Sequence, residues 1–196
     1  MFYDAVANTH GLPLDPFYAL VTPRPIAWIS TLSKSGKANL APYSFFNAFS
    51  HNPSYVAFGS SGLKHTLRNV EETGEFVVNL ATHDLRDSVN LSSSKTEEDE
   101  FELSGLAKAA SVKVKPPRVA ASPIALECRH FQTVPLPDDA GQVDDFLVIG
   151  RVVGVHIDDR YIVDGRVNTA AMKLIARLGY AEYTAVDQVW KMRRPT

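Results

Sequence analysis

Apolar residues fall at every second position through most of this chain. The runs PIAWISTL (25–32), ANLAPYSFF (38–46), SYVAFGS (54–60), FVVNL (76–80), IALECRHF (124–131) and FLVIGRVVGVHI (146–157) all carry that alternation. A period of two is the mark of a strand with one face against a core, and turn-formers such as SKSGK, HNP and PDDAG bound the runs. SKSGK (33–37) joins two of them, so a hairpin is the simplest connection, with Gly36 supplying the positive φ of the turn.

Helical spacing is rarer. HTLRNVEETG (65–74) ends on Gly74 as a C-cap, HDLRDSVNLS (83–92) follows a capping Thr82, and TEEDEFELSGLAKAA (96–110) opens with acids suited to a helix start. NTAAMKLIARLG (168–179) reads as a fourth helix from a cap at Asn168 or Thr169 to Gly179, with Met172, Ile175 and Ala176 on one face. VKVKPPRVAASP (112–123) and VPLPDDAGQVDD (134–145) read as loop excursions. Strands in succession with helices at the edges predict a mainly β barrel rather than a βαβ sheet.

Composition narrows the function. At 196 residues the chain predicts one domain, 1–196, without internal repeats, and 45% hydrophobic and 21% charged residues fit an ordinary globular protein. A net charge of −2 gives no basic excess for phosphate backbones or anionic lipid, so neither nucleic acid nor membrane is an expected partner. No apolar run approaches the ~20 residues of a membrane helix, and MFYDAVANTHGLPLD lacks the regions of a signal peptide, so a cytoplasmic location is expected. Cys128, the single cysteine, sits in a strand-like run and is expected to be a buried thiol.

Several chemistries lack their signatures. The six histidines form no HExxH or Cys-and-His spacing, so no zinc site is expected. GSSGL does not fit G-x-S-x-G, and neither G-x-G-x-x-G behind a first strand nor G-x-x-x-x-G-K-[ST] is present.

One stretch does point to a ligand. In GSSGLKHTLRNVEETGEF (59–76), Ser60, Ser61, Lys64 and Thr66 stand just ahead of a predicted helix. The first four N–H groups of a helix have no intrahelical partners and the helix dipole is positive there, so hydroxyls and one lysine at that place suit a phosphate monoester. Gly59 and Gly62 would let backbone approach the ligand, and Thr66 doubles as a candidate N-cap. The same residues also suit an ordinary solvated loop. Upstream, Ser30, Thr31, Asn39, Ser44 and Asn47 interrupt apolar strands beside Phe45, Phe46 and Phe49, a pattern suited to lining a polar ligand edge or to plain core and turn packing.

TPRPIAWISTLSKSGKANLAPYSFFNAFSHNPSYVAF (22–58), followed by KHTLRNVEETGEFVVNL (64–80), resembles the flavin reductase-like, FMN-binding split-barrel family, flavoredoxin-type proteins included. The likeness runs from about Phe17 to Leu91 and returns in RLGYAEYTAVDQVWKMRRP (177–195); between Val112 and Val163 it holds only in strand rhythm. It implies a split β-barrel of Greek-key type with a few peripheral α-helices, a homodimer, and FMN in a groove near the dimer interface. By position it implies that Ser44, Phe45 and Asn47 lie along the isoalloxazine and ribityl chain, and Ser30 and Thr31 near the ring. Ser60, Ser61, Lys64 and Thr66 would hold the phosphate, and Arg177 and Tyr180 would close the site. His65 stands where relatives have Asp, and Leu178-Gly179-Tyr180 where they often have paired glycines.

The implied activity is that of an FMN-dependent NAD(P)H:flavin oxidoreductase, with NADH or NADPH as reductant, hydride passing to bound or exchanging flavin, and no general acid or base named. An FMN-binding electron carrier serving a protein partner without nicotinamide activity, or a barrel with another ligand or none that acts as a structural or binding module, remain the alternatives.

Overall fold

The computed structural model describes residues 1–94 and 96–195. Besides a short strand at Arg24–Pro25, nine strands build its two main sheets: β1 Ala27–Leu32, β2 Ala38–Tyr43, β3 Phe46–His51, β4 Ser54–Ser61, β5 Glu75–Leu80, β6 Ile124–Pro137, β7 Val143–Ile157, β8 Leu174–Arg177 and β9 Tyr183–Val186. The first seven form one antiparallel sheet in the order β2-β1-β5-β6-β7-β4-β3. The short strand at Arg24–Pro25 joins β8 and β9 in a second, three-stranded sheet. Five short helices are α1 Phe17–Leu20, α2 His65–Thr73, α3 Arg86–Leu91, α4 Glu100–Leu103 and α5 Thr169–Met172.

The alternation seen in the sequence sorts into two cores. Ala27 and Ile29 of β1 turn into the barrel with Val56 and Phe58 of β4, Phe76 and Val78 of β5, Cys128 of β6 and Val148 of β7. Leu67 and Val70 of α2 join that cluster, so the helix seals one end of the barrel. Trp28, on the other face of β1, packs outside with Leu40, Phe101, Val119 and Ile175. With both faces covered, β1 is buried from Ala27 to Thr31.

The long hairpin of β6 and β7 holds the sheet together: β6 pairs with β5 over Ala125–Arg129, and β7 pairs with β4 from Asp145 to Arg151. Where β7 crosses Phe76, only glycine fits, since a Cβ on Gly150 would lie 2.2 Å from the ring. The ladder is irregular between Ile149 and Gly150 and between Val152 and Gly154, which bends the hairpin around the barrel.

The excursion 112–123 covers the outer side of β5 and β6. Its amides at Val112, Lys113 and Val114 donate to the fully buried carboxylate of Glu127, which also accepts from Nε2 of His156. Burial would raise the Glu127 carboxyl, but these bonds outweigh it and hold it below the ordinary carboxylate range. Asn79 accepts from the Val119 amide at 2.8 Å, and Ser30 donates to the Pro117 carbonyl at 2.5 Å.

Three sequence expectations give way. The segment 134–145 is not a loop: Val134–Pro137 completes β6, Asp138–Gly141 makes the turn, and β7 begins at Val143. Its residues project past the barrel, so burial imposes no alternation on them. The fourth predicted helix stops at Met172, where Lys173 adopts φ 49°, and Leu174–Arg177 becomes β8 between Arg24–Pro25 and β9. Pairing on both edges outweighs helix propensity there. The predicted helix at 96–110 shrinks to α4, capped by the Asp99 side chain and ended before Gly105 at φ 64°. The segment 83–92 starts as a 3₁₀ turn at His83–Leu85 before α3.

Candidate functional site

The start of α2 is where sequence and structure meet most directly. Lys64 is the N-cap in extended conformation, no side chain caps the helix, and Gly74 closes its other end at φ 72° with its N–H on the Val70 carbonyl at 2.8 Å. The Arg68 amide donates to the Lys64 carbonyl, the first bond of the helix, so the N–H groups of His65, Thr66 and Leu67 have no intrahelical acceptor. These amides stand at the positive end of the dipole.

A groove of about 610 Å³ opens beside them. Lys64 and Thr66 line it with Asn39, Tyr43, Arg68 and the serines Ser92–Ser94. The Lys64 ammonium lies 5.9 Å from the Tyr43 ring centroid. Among the described residues neither Lys64 nor Arg68 has an ion-pair partner. The Tyr43 hydroxyl is buried beside the hydroxyls of Thr66 and Ser60, with neither placed at good hydrogen-bond geometry. Burial raises its phenol above the ordinary value.

Two carboxylates also border the groove. Glu97 pairs with His65 at 3.4 Å. Glu100 is 5% exposed and accepts from the Leu40 amide at 3.0 Å. Burial lifts its carboxyl above the ordinary range, which weakens its repulsion toward an anion.

The eleven residues singled out in the sequence do not form one cluster. Lys64 and Thr66 share the groove, but Thr66 is not the N-cap: it is 1% exposed in the first turn, and its Oγ1 accepts from Asn39 at 2.9 Å. Ser30 and Thr31 are fully buried, Ser30 bonded to Pro117 and Asn79, Thr31 accepting from Asn69 at 3.0 Å. Their polarity serves packing between layers, so the expectation that they flank a ring gives way. Ser60 is 2% exposed, and Ser61 donates to Asp145.

Phe45, Asn47, Ser60 and Ser61 line a different groove, of about 680 Å³, with α1 and the tip of the long hairpin. Gly59 makes room for Phe45, whose Cβ would be 3.1 Å from an added methyl, and Gly62 at φ 76° serves a turn; neither opens backbone to a ligand at α2. Ser44 occupies the bend between β2 and β3 and lines neither groove. Arg177 binds the Tyr183 hydroxyl at 2.5 Å and the Tyr180 carbonyl, with Tyr180 at φ 55°. That pair ties down the β8–β9 turn and lines neither groove.

Tyr43, Arg68 and Ser92–Ser94 carried no weight in the sequence. The run of three serines after α3 was the visible signal, but only the fold sets it opposite α2.

The flavin reductase like domain model matches residues 19–169. The chain belongs to that family. A Halalkalibacterium halodurans protein without a characterised activity is 36% identical over 183 residues, 90% of this chain and 88% of that protein. Among solved structures, nitrilotriacetate monooxygenase component B from Bacillus cereus superposes with a TM-score of 0.87 at 28% identity, covering 98% of this chain and all of its own. Flavoredoxin of Desulfovibrio vulgaris (Miyazaki F) shares the fold with a TM-score of 0.78 at 19% identity, over 88% and 91% of the two chains.

This flavin reductase-like barrel therefore has the split-barrel architecture its sequence suggested, with peripheral helices. The features of its α2 groove fit a phosphorylated flavin: a helix start without a side-chain cap, a lysine without a carboxylate partner among the described residues, and a buried tyrosine hydroxyl without a well-placed partner.

Proposed function

We propose that this protein is an FMN-dependent oxidoreductase of flavin reductase type that uses NADH or NADPH. The observation that carries the proposal is the set of donors without protein acceptors at the start of α2, within a chain of the flavin reductase-like family. Lys64 and the amides of His65 and Thr66 would hold the phosphate, while Arg68 adds positive charge at the groove edge. Ser92–Ser94 line the same space, although the Ser92 hydroxyl is taken up by Trp28 and Val89 and the Ser93 hydroxyl by the Asn90 carbonyl. Tyr43 would gain the hydrogen-bond partner that it lacks within the protein.

When bound, FMN would supply a ring able to take a hydride, a proton with two electrons, from a reduced nicotinamide and to give the electrons onward. The chain's own part is to bind, orient and shield. α2 holds the ligand by its charged end, and the rigidity of that hold comes from Leu67 and Val70 in the barrel core. Asn39 and Asn69 pin the helix to β1 and β2 through Thr66 and Thr31, so the amides keep their direction. No side chain of the groove is required as a general acid or base. We also propose that the working protein is a cytoplasmic homodimer.

The test is optical. Protein incubated with FMN and desalted should retain flavin absorbance, and anaerobic NADH or NADPH should bleach it. A preparation that retains no flavin overturns the binding proposal. Retained flavin that resists both nicotinamides but is reduced by a redox protein would instead make the chain an electron carrier.

A further inference from the structure

We infer that the C-terminal segment Val189–Arg194 of one copy docks into the aromatic groove between α1 and the β6–β7 hairpin of a second copy. The juxtaposition is of an exposed apolar segment and an exposed aromatic groove. Val189, Trp190 and Met192 are 70%, 81% and 85% exposed. Phe17, Tyr18, Phe45 and Phe49 leave about half or more of their surface exposed along the groove, at 54%, 50%, 44% and 68%. Exposed apolar surface gathered in this way marks an interaction site.

Charge complements the apolar match. The hairpin side of the groove carries Asp138, Asp144 and Asp145, and among the described residues none has an ion-pair partner. Asp145 accepts from Ser61 and Asp138 from backbone amides of its own turn. The groove's one cation, Arg24, is 8% exposed and already bound to the carbonyls of Tyr18, Val21 and Leu178, and burial and Arg177 depress its pKa. The segment supplies Lys191, Arg193 and Arg194. In extended conformation Trp190 and Met192 share one side, and Lys191 and Arg193 the other. One side then meets the phenylalanines while the cations reach the aspartates at the rim.

Strand direction selects a second copy over the segment's own groove. Arg24 pairs with Arg177, and Arg177 with Tyr183, so the first residue of β9 lies in the row nearest the groove wall. β9 then runs away from that row, ending at Val186 opposite Leu174, and Asp187 lies beside α3 in another pocket. The tail leaves β9 heading away from its own aromatic groove. A neighbouring copy needs no reversal of the chain.

This inference rests on the proposed homodimer but not on the flavin. One chain carrying Phe49→Cys and another carrying Trp190→Cys are mixed and oxidised, and sedimentation compares the full chain with one ending at Gln188. The expected result is a disulfide-linked pair from the mixture, little from either variant alone, and dimerisation weakened at least tenfold by the truncation. Trp28 is buried, so the exposed Trp190 is the fluorophore that docking should shield from acrylamide. A cross-link confined to the double variant within one chain overturns the inference in favour of self-docking. So does a full-strength dimer after truncation, which leaves the homodimer standing. A full chain that stays monomeric at every concentration removes both.

Discussion

At the scale of single residues, a polar group's meaning depends on what already satisfies it. Ser30 and Thr31 read in sequence as a polar edge for a ligand, yet each spends its hydroxyl on the fold. Tyr43 reads as one more aromatic in an apolar run, yet its hydroxyl is buried without a partner. A buried unpaired hydroxyl costs on the order of 1–3 kcal/mol. Tyr43→Phe should therefore leave the flavin-free protein as stable as the parent or slightly more so, while weakening FMN binding about tenfold. Thermal unfolding and flavin titration, run side by side, check both halves. Lys64→Ala should weaken FMN binding more, by roughly ten- to hundredfold, since a bond between charged groups contributes about 1.5–3 kcal/mol. Its binding should also lose part of the salt dependence seen with the parent.

At the scale of elements, the regular alternation of β1, β4, β5 and the inner halves of β6 and β7 made those strands legible, because each sets at least one face against a core. α2 was equally legible, with Gly74 as its stop. The failures fall where no nearby core disciplines the pattern. Residues 134–145 extend beyond the barrel, and Leu174–Arg177 is a strand only because two partners flank it. Gly150 shows the reverse case: nothing in GRVVG marks the first glycine as indispensable until Phe76 is seen against it. Gly150→Ala should destabilise the protein by about 1–3 kcal/mol, since overpacking here meets a fully buried ring. Denaturant unfolding would show it as a lower midpoint with an unchanged slope.

At the scale of the whole molecule, Glu127 couples three parts of the chain: its own strand, the 112–114 segment and His156 on β7. Its carboxyl is held below its ordinary value, so it contributes stability that is complete above the unfolded carboxylate pKa of ~4.3 and fades as pH falls through the lower, folded one. Glu127→Gln should lower stability at neutral pH by about 3 kcal/mol, because a neutral amide cannot replace a carboxylate bound by three amides and an imidazole. It should also flatten the acid limb of the stability curve. Equal acid sensitivity in parent and variant, measured by urea unfolding between about pH 3 and 7, would assign that limb to other carboxylates.

The linear order of residues was enough for the β-rich class, the hairpin at Gly36, the helix that seals the barrel and the unpaired amides at its start. Those features are local: periodicity, turn chemistry and unpaired amides act over a few neighbouring positions. Tertiary structure alone decided which polar groups remain available. It buried Ser30, Thr31 and Ser60, turned Ser61 to Asp145, and set Tyr43 and the serines after α3 around Lys64. The reason is that a hydrogen-bond partner can come from anywhere in the chain, as Pro117 does for Ser30 across 87 positions, and spacing along the sequence carries no record of such meetings.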